Sequence, residues 1–247
     1  MDRRYFSSLL FRLALAVLAM LLSVRAVYAL EGDVQSWCLA GLLGLSAAAL
    51  QIRPMLVPTP GKASTVMSPA GAFFLAGLFL VPAGPLVSAI AFAVALSGLV
   101  NGTRPHKVLL QLSVSVLTFG ACSYYMKLGP KIGDPLVPPP ELVAMEVLLA
   151  ATVLIAQLVL RSLAVRLERG HEAPHWGAFQ PHAIVEALYC LALSVPISVL
   201  ARIHLALLAV VYVYVGFTWW FIERYRKHMR AMTEEPESVE EQRRWVA

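Results

Sequence analysis

The chain has 247 residues, 59% of them apolar and only 14% charged, where a soluble domain carries near 25% charged residues. That composition excludes a water-soluble globule, and it supplies enough apolar residues for roughly seven or eight membrane spans of about 20. The net charge of +5 does not argue for nucleic acid, because in such a chain the position of the charges matters more than their sum.

Hydrophobic runs at 9–30, 34–52, 66–81, 84–100, 108–126, 141–160, 182–200 and 203–222 predict an all-α fold, a polytopic membrane helix bundle of about eight transmembrane helices. The first run follows Asp2-Arg3-Arg4 and ends at Val27-Tyr28-Ala29 like a signal peptide, but Arg25 interrupts it and argues against cleavage. The third and fourth runs are short and separated only by Val81-Pro82-Ala83-Gly84-Pro85, a Pro/Gly turn expected to fold them into a tight hairpin. Residues 127–140 are expected to form a stiff, Pro-rich outer loop whose Pro138-Pro139-Pro140 ends where Glu141 can start a helix. The longest inner loop is expected at 161–181, lying along the membrane surface as an amphipathic segment. Glu223 to Met232 can extend the eighth helix out of the bilayer, and Ser238-Val239-Glu240-Glu241, after Pro236, fits a capping box that would begin one more short helix. Two regions are therefore expected, a transmembrane domain at 1–222 and a cytoplasmic helical tail at 223–247.

Charge sets the expected orientation. With the amino terminus in the cytoplasm, sixteen of the twenty Lys and Arg fall on the inner side, and only Arg25, Lys127, Lys131 and Arg202 fall outside. This positive-inside asymmetry suits eight helices with both termini cytoplasmic.

Candidate chemistry is sparse. Cys38, Cys122 and Cys190 lie in apolar runs without metal-ligand spacing and read as packing residues. His171-Glu172-Ala173-Pro174-His175 matches HExxH, but Pro174 opposes the helix that would align two zinc ligands, so neither a metal nor any other cofactor is expected. Phosphate loops, a nucleophile elbow and a dinucleotide fingerprint are absent from the sequence. Glu146 and Glu186 are carboxylates at membrane depth, where each needs a partner. Glu146 is expected to pair with Arg25 or Lys127. Glu186 shares a helix face with His182, and Gln111, Ser115 and Gln157 approach from the same side of the membrane. These five residues are the candidate ligand pocket.

The stretch 57–125, with Gly84-Pro85 and Arg104-Pro105-His106-Lys107-Val108, resembles the amino-terminal multi-spanning membrane module of bacterial HD-GYP-type phosphohydrolases and related cyclic-di-GMP signalling proteins. The later part, from Leu167-Glu168-Arg169-Gly170 to Glu223-Arg224-Tyr225, follows the same pattern. The catalytic domain of that family, with its HD metal-binding pair, has no counterpart in these residues, so no catalytic residue carries over. The resemblance implies a non-catalytic sensor or anchoring module whose partners are the bilayer, a cytoplasmic signalling enzyme and a small-molecule ligand. Alternatives from other classes are a small-solute binding or transport component and an intramembrane zinc hydrolase using His171 and His175.

Overall fold

The computed structural model describes residues 3–28, 33–59, 62–126, 140–169 and 181–246. Its helices are α1 (Arg3–Tyr28), α2 (Val34–Ile52), α3 (Ala70–Leu80), α4 (Ala83–Val100), α5 (Pro105–Ser115), α6 (Ala121–Met126), α7 (Pro140–Arg169), α8 (Pro181–Ile203) and α9 (Leu208–Val246). A π-helical segment, Val116–Gly120, joins α5 to α6, and a 3₁₀ turn, Leu205–Leu207, joins α8 to α9. Strands β1 (Met55–Thr59) and β2 (Lys62–Met67) form an antiparallel hairpin with Met55 opposite Met67. This hairpin occupies part of what the sequence presents as a loop before the third run.

Among the described residues, six helical segments are long and apolar enough to cross a membrane: Ser7–Tyr28, Val34–Ile52, Ala83–Val100, Pro105–Tyr124, Ala144–Ala164 and Ala183–Ile203. Their outward faces carry large apolar side chains, with Met20, Leu99 and Leu148 all more than two-thirds exposed. A surface this apolar matches hydrocarbon and not water. The chain is a multi-pass helical membrane protein.

The breaks between helices have local causes. Asp33 caps α2, its carboxylate accepting the Ser36 N–H at 2.8 Å. Pro82 cannot continue α3, and α4 starts at Ala83. After α4 the chain turns at Gly102, whose φ of +59° favours glycine. There Thr103 N–H returns to Gly98 O at 2.9 Å and Gly102 N–H to Leu99 O at 3.2 Å, closing a Schellman cap. Pro105 then opens α5 at a position where a missing N–H costs nothing.

At the centre lies α3, AGAFFLAGLFL, apolar on every side and buried almost throughout. It packs chiefly on α8 and α2, whereas α4 packs chiefly on α2. Gly44 of α2 makes the second of these contacts close, since a Cβ there would stand 3.1 Å from the backbone oxygen of Ala89. Phe74 of α3 meets Phe119 of the π segment edge-on at 5.7 Å, and Phe73 stacks on Tyr212 of α9 at 6.0 Å.

Two expectations change at the ends of helices. The inner loop expected at 161–181 begins later, because α7 stays helical to Arg169; Arg161 to Arg169 contains no breaker, and Gly170 is the first one reached. In the tail, α9 runs unbroken from Leu208 to Val246, through Pro236 and without a second start at Ser238. The flanking Ala, Met, Glu, Gln and Arg are good helix formers, which offsets the one hydrogen bond a proline removes.

Candidate functional site

Two ends of the bundle carry charge, and α3 lies between them. At one end, Arg202 of α8 donates from Nη2 to Oε1 of Glu146 on α7 at 2.5 Å, both side chains largely buried. The same Nη2 makes a long contact of 3.5 Å with the carbonyl oxygen of Phe79, in the last turn of α3. This corrects the expected pairing of Glu146 with Arg25 or Lys127. Arg25 instead donates to the Tyr124 hydroxyl at 2.7 Å and lies 5.4 Å from its ring centroid, while Lys127 is outside the described residues. Sequence separation gave no means of seeing that the end of α8 returns beside the start of α7.

At the other end, Glu186 of α8 accepts the backbone N–H of Ser68 at 3.0 Å, just before α3 begins. A carboxylate at the start of α3 and a guanidinium at its end both match the helix dipole, so α8 holds the short central helix at both termini.

Around Glu186 the helices leave a cavity of about 160 Å³. Gln51 enters from the last turn of α2, and Ser68 and Gly71 from the start of α3. Gln111 and Ser115, one helical turn apart on α5, form a second wall. Gln157 and Arg161 on α7, and Glu186 and Cys190 on α8, repeat that four-residue spacing, so three helices each turn a polar pair toward one space. Of the five residues expected to form a pocket, Gln111, Ser115, Gln157 and Glu186 thus line one cavity. His182 lies in the first turn of α8, and its side chain is outside the described residues.

The wall is partly knitted together. Gln157 Nε2 approaches the Ser115 hydroxyl at 3.5 Å, and the Ser97 hydroxyl donates to Gln51 Oε1 at 2.7 Å. Gly71 lets the backbone approach Cys190, where a Cβ would stand 3.2 Å from the sulfur. Ser115 adjoins the π segment, in which the Thr118 hydroxyl donates to Val114 O at 2.8 Å; such segments often mark functional positions in helices.

Arg161, Gln51, Ser68 and Cys190 were not among the expected pocket residues. Arg161 read as the first residue of a loop, and Gln51 and Ser68 as span ends. The four-residue spacing of Gln157 to Arg161 was the available signal, and it counts only if the helix continues to Arg169.

The arrangement offers hydrogen-bond donors and acceptors, one guanidinium and one carboxylate. Among the described residues no group of three or more His, Cys, Asp or Glu could hold a metal ion; the HExxH residues His171 to His175 lie outside them. Among the described residues none of the three cysteines forms a disulfide; Cys38 is exposed and Cys190 buried against the cavity. No family model, curated protein or solved structure matches the chain.

Proposed function

We propose that this protein is a non-catalytic, solute-responsive module of a bacterial signalling system, with the cavity as its input and α9 as its output to a cytoplasmic enzyme. In this reading eight helices are embedded in the inner membrane, α3 and α4 form a tight hairpin, and both termini are cytoplasmic. The polar helix ends around Glu186 then face the cytoplasm. The likeness to the membrane module of HD-GYP-type proteins belongs to the same reading.

The observation that carries it is the position of α3. Its first residues line the cavity beside Glu186, and its Phe73 stacks on Tyr212 of α9. Tyr212 also shares a hydrogen bond of 2.5 Å with Ser46 of α2. A solute that changes the hold of Glu186 on Ser68 would bias the packing of α3, and α9 would carry the shift along an unbroken helix of 39 residues. Deleting residues 233–247 tests the output: insertion should persist, and recovery of a cytoplasmic cyclase or phosphodiesterase in a pull-down should be lost. Recovery of no such enzyme by the full chain would remove the signalling half of the proposal.

The cavity also favours a second reading, a small-solute transport component. Uptake of a solute into vesicles containing only this protein would select it, whereas binding without uptake selects the sensor.

A further inference from the structure

Building on the reading of the cavity as a solute site, we propose that its occupant is a small uncharged solute carrying an N–H donor and a C=O acceptor side by side, the edge of a carboxamide, a urea or a lactam, held by the carboxamides of Gln111 and Gln157.

The two charged groups of the cavity do not call for a charged ligand. Glu186 is engaged by the Ser68 N–H at 3.0 Å and by a further interaction, and Arg161 is an exposed side chain. The groups left without partners are neutral. Gln51, Gln111 and Gln157 all line the cavity and all belong to membrane-spanning segments, where a polar side chain has no bulk water to turn to. Gln157 is only 9% exposed, yet among the described residues its one contact is the long approach of Nε2 to the Ser115 hydroxyl at 3.5 Å. The side chain of Gln111 makes no hydrogen bond among the described residues. Gln51 accepts the Ser97 hydroxyl at Oε1, which leaves its amide nitrogen over.

This remainder is mixed in kind. It holds amide N–H donors at Gln51 and Gln111 and carbonyl acceptors at Gln111 and Gln157. Turning a carboxamide over exchanges its two ends but always leaves one of each, so the mixture does not depend on how the amides are oriented. An anion accepts only and a cation donates only, so either would leave half of the set unanswered. A solute with its own N–H beside its own C=O can meet a glutamine with one hydrogen bond in each direction, as glutamine meets the donor and acceptor of an adenine edge. Size agrees with this. A cavity of about 160 Å³ admits on the order of ten water-sized groups, and Phe74, Leu154 and Leu158 give it an apolar side. A compact molecule with one amide edge and a small apolar or aromatic body fits both features.

The test uses the full chain in lipid nanodiscs. Propionamide, nicotinamide and uracil are compared by calorimetry and thermal shift with propionate, ethylammonium, glycerol and N,N-dimethylpropionamide at equal millimolar concentration. At least one amide-edged probe should bind saturably and raise Tm. Dimethylpropionamide keeps the carbonyl but has no N–H, and it should bind roughly tenfold more weakly or not at all, as should the two ions and glycerol. Gln111→Leu and Gln157→Leu should each weaken the bound amide roughly tenfold. Any of the four comparison probes binding as tightly as the best amide overturns the ligand class and leaves the cavity a solute site. Amide binding that survives the double change Gln111→Leu, Gln157→Leu overturns the placement. No binding by any of the seven probes, on the order of a tenfold concentration range having been covered, overturns the ligand class and the solute reading together. The probe comparison on the native chain decides even if a variant fails to fold.

Discussion

The antiparallel helices α7 and α8 carry the same two charges at each end, and the two ends use them differently. Glu146 and Arg161 are 15 residues apart on α7, and Glu186 and Arg202 are 16 apart on α8, about 22 to 24 Å along each axis. Where Glu146 meets Arg202 the charges touch, exclude solvent and finish the last turn of α3. Where Arg161 faces Glu186 they stand around a cavity with three carboxamides. Equal charge content thus gives a sealed end and an open end. The difference lies in what else arrives: aromatic and aliphatic residues of α3 beside the pair at one end, and Gln51, Gln111 and Gln157 at the other.

Breaking the sealed end should have the largest effect. Arg202→Ala leaves Glu146 as a buried, unpaired carboxylate and should cost about 3 to 5 kcal/mol in thermal or denaturant unfolding. Replacing both partners, Glu146→Leu with Arg202→Met, should restore much of that loss, because it removes the stranded charge. Equal losses in the single and double variants would show that the pair does not act as a unit.

A perturbation belonging to neither end calibrates the scale. Gly44→Val places a side chain against the backbone of Ala89 and should cost about 1 to 3 kcal/mol through forced separation of α2 and α4. A neutral result would mean that these helices are not in close contact in the membrane.

The open end should be softer. Because Arg161 makes no direct ion pair among the described residues, Arg161→Ala should cost about 1 kcal/mol or less, far below the effect of Arg202→Ala. A loss as large as that of Arg202→Ala would erase the contrast between the ends.

The smallest effect is expected outside the membrane, at Asp33. The Ser36 hydroxyl and N–H hold this carboxyl below its ordinary value of 3.8. A depressed pKa adds stability that is present above the unfolded value and is lost as pH falls through the folded one. Asp33→Asn should therefore flatten a slight decline in Tm below about pH 4 and change little near neutrality. A wild-type decline identical to that of the variant would remove Asp33 as its source.

Much of the frame follows from local sequence. Long apolar runs make membrane helices because only hydrogen-bonded helices satisfy the backbone in lipid, and run 34–52 coincides with α2. Breaks at Pro82, Gly102 and Pro105 follow from residues that cannot continue a helix. Gln111, Ser115, Gln157 and Glu186 were legible as a group because polar side chains inside apolar runs must face the bundle. Helix ends near charged segments were less legible: residues 161–169 have the composition of a polar loop, and good helix formers alone do not reveal whether a helix stops at the membrane surface.

What only the tertiary structure decided is which charges meet. Glu146 could pair with any base on its side of the membrane, and the return of α8 alongside α7 selects Arg202. The same pairing of helices brings Arg161 opposite Glu186 without a direct ion pair, while Gln51 of α2, Gln111 of α5 and Gln157 of α7 itself bring amides to the space around them. Local sequence specifies hydrogen bonding within each helix, which extends only four residues. Long side chains reach between helices, so their partners depend on packing that no single segment encodes.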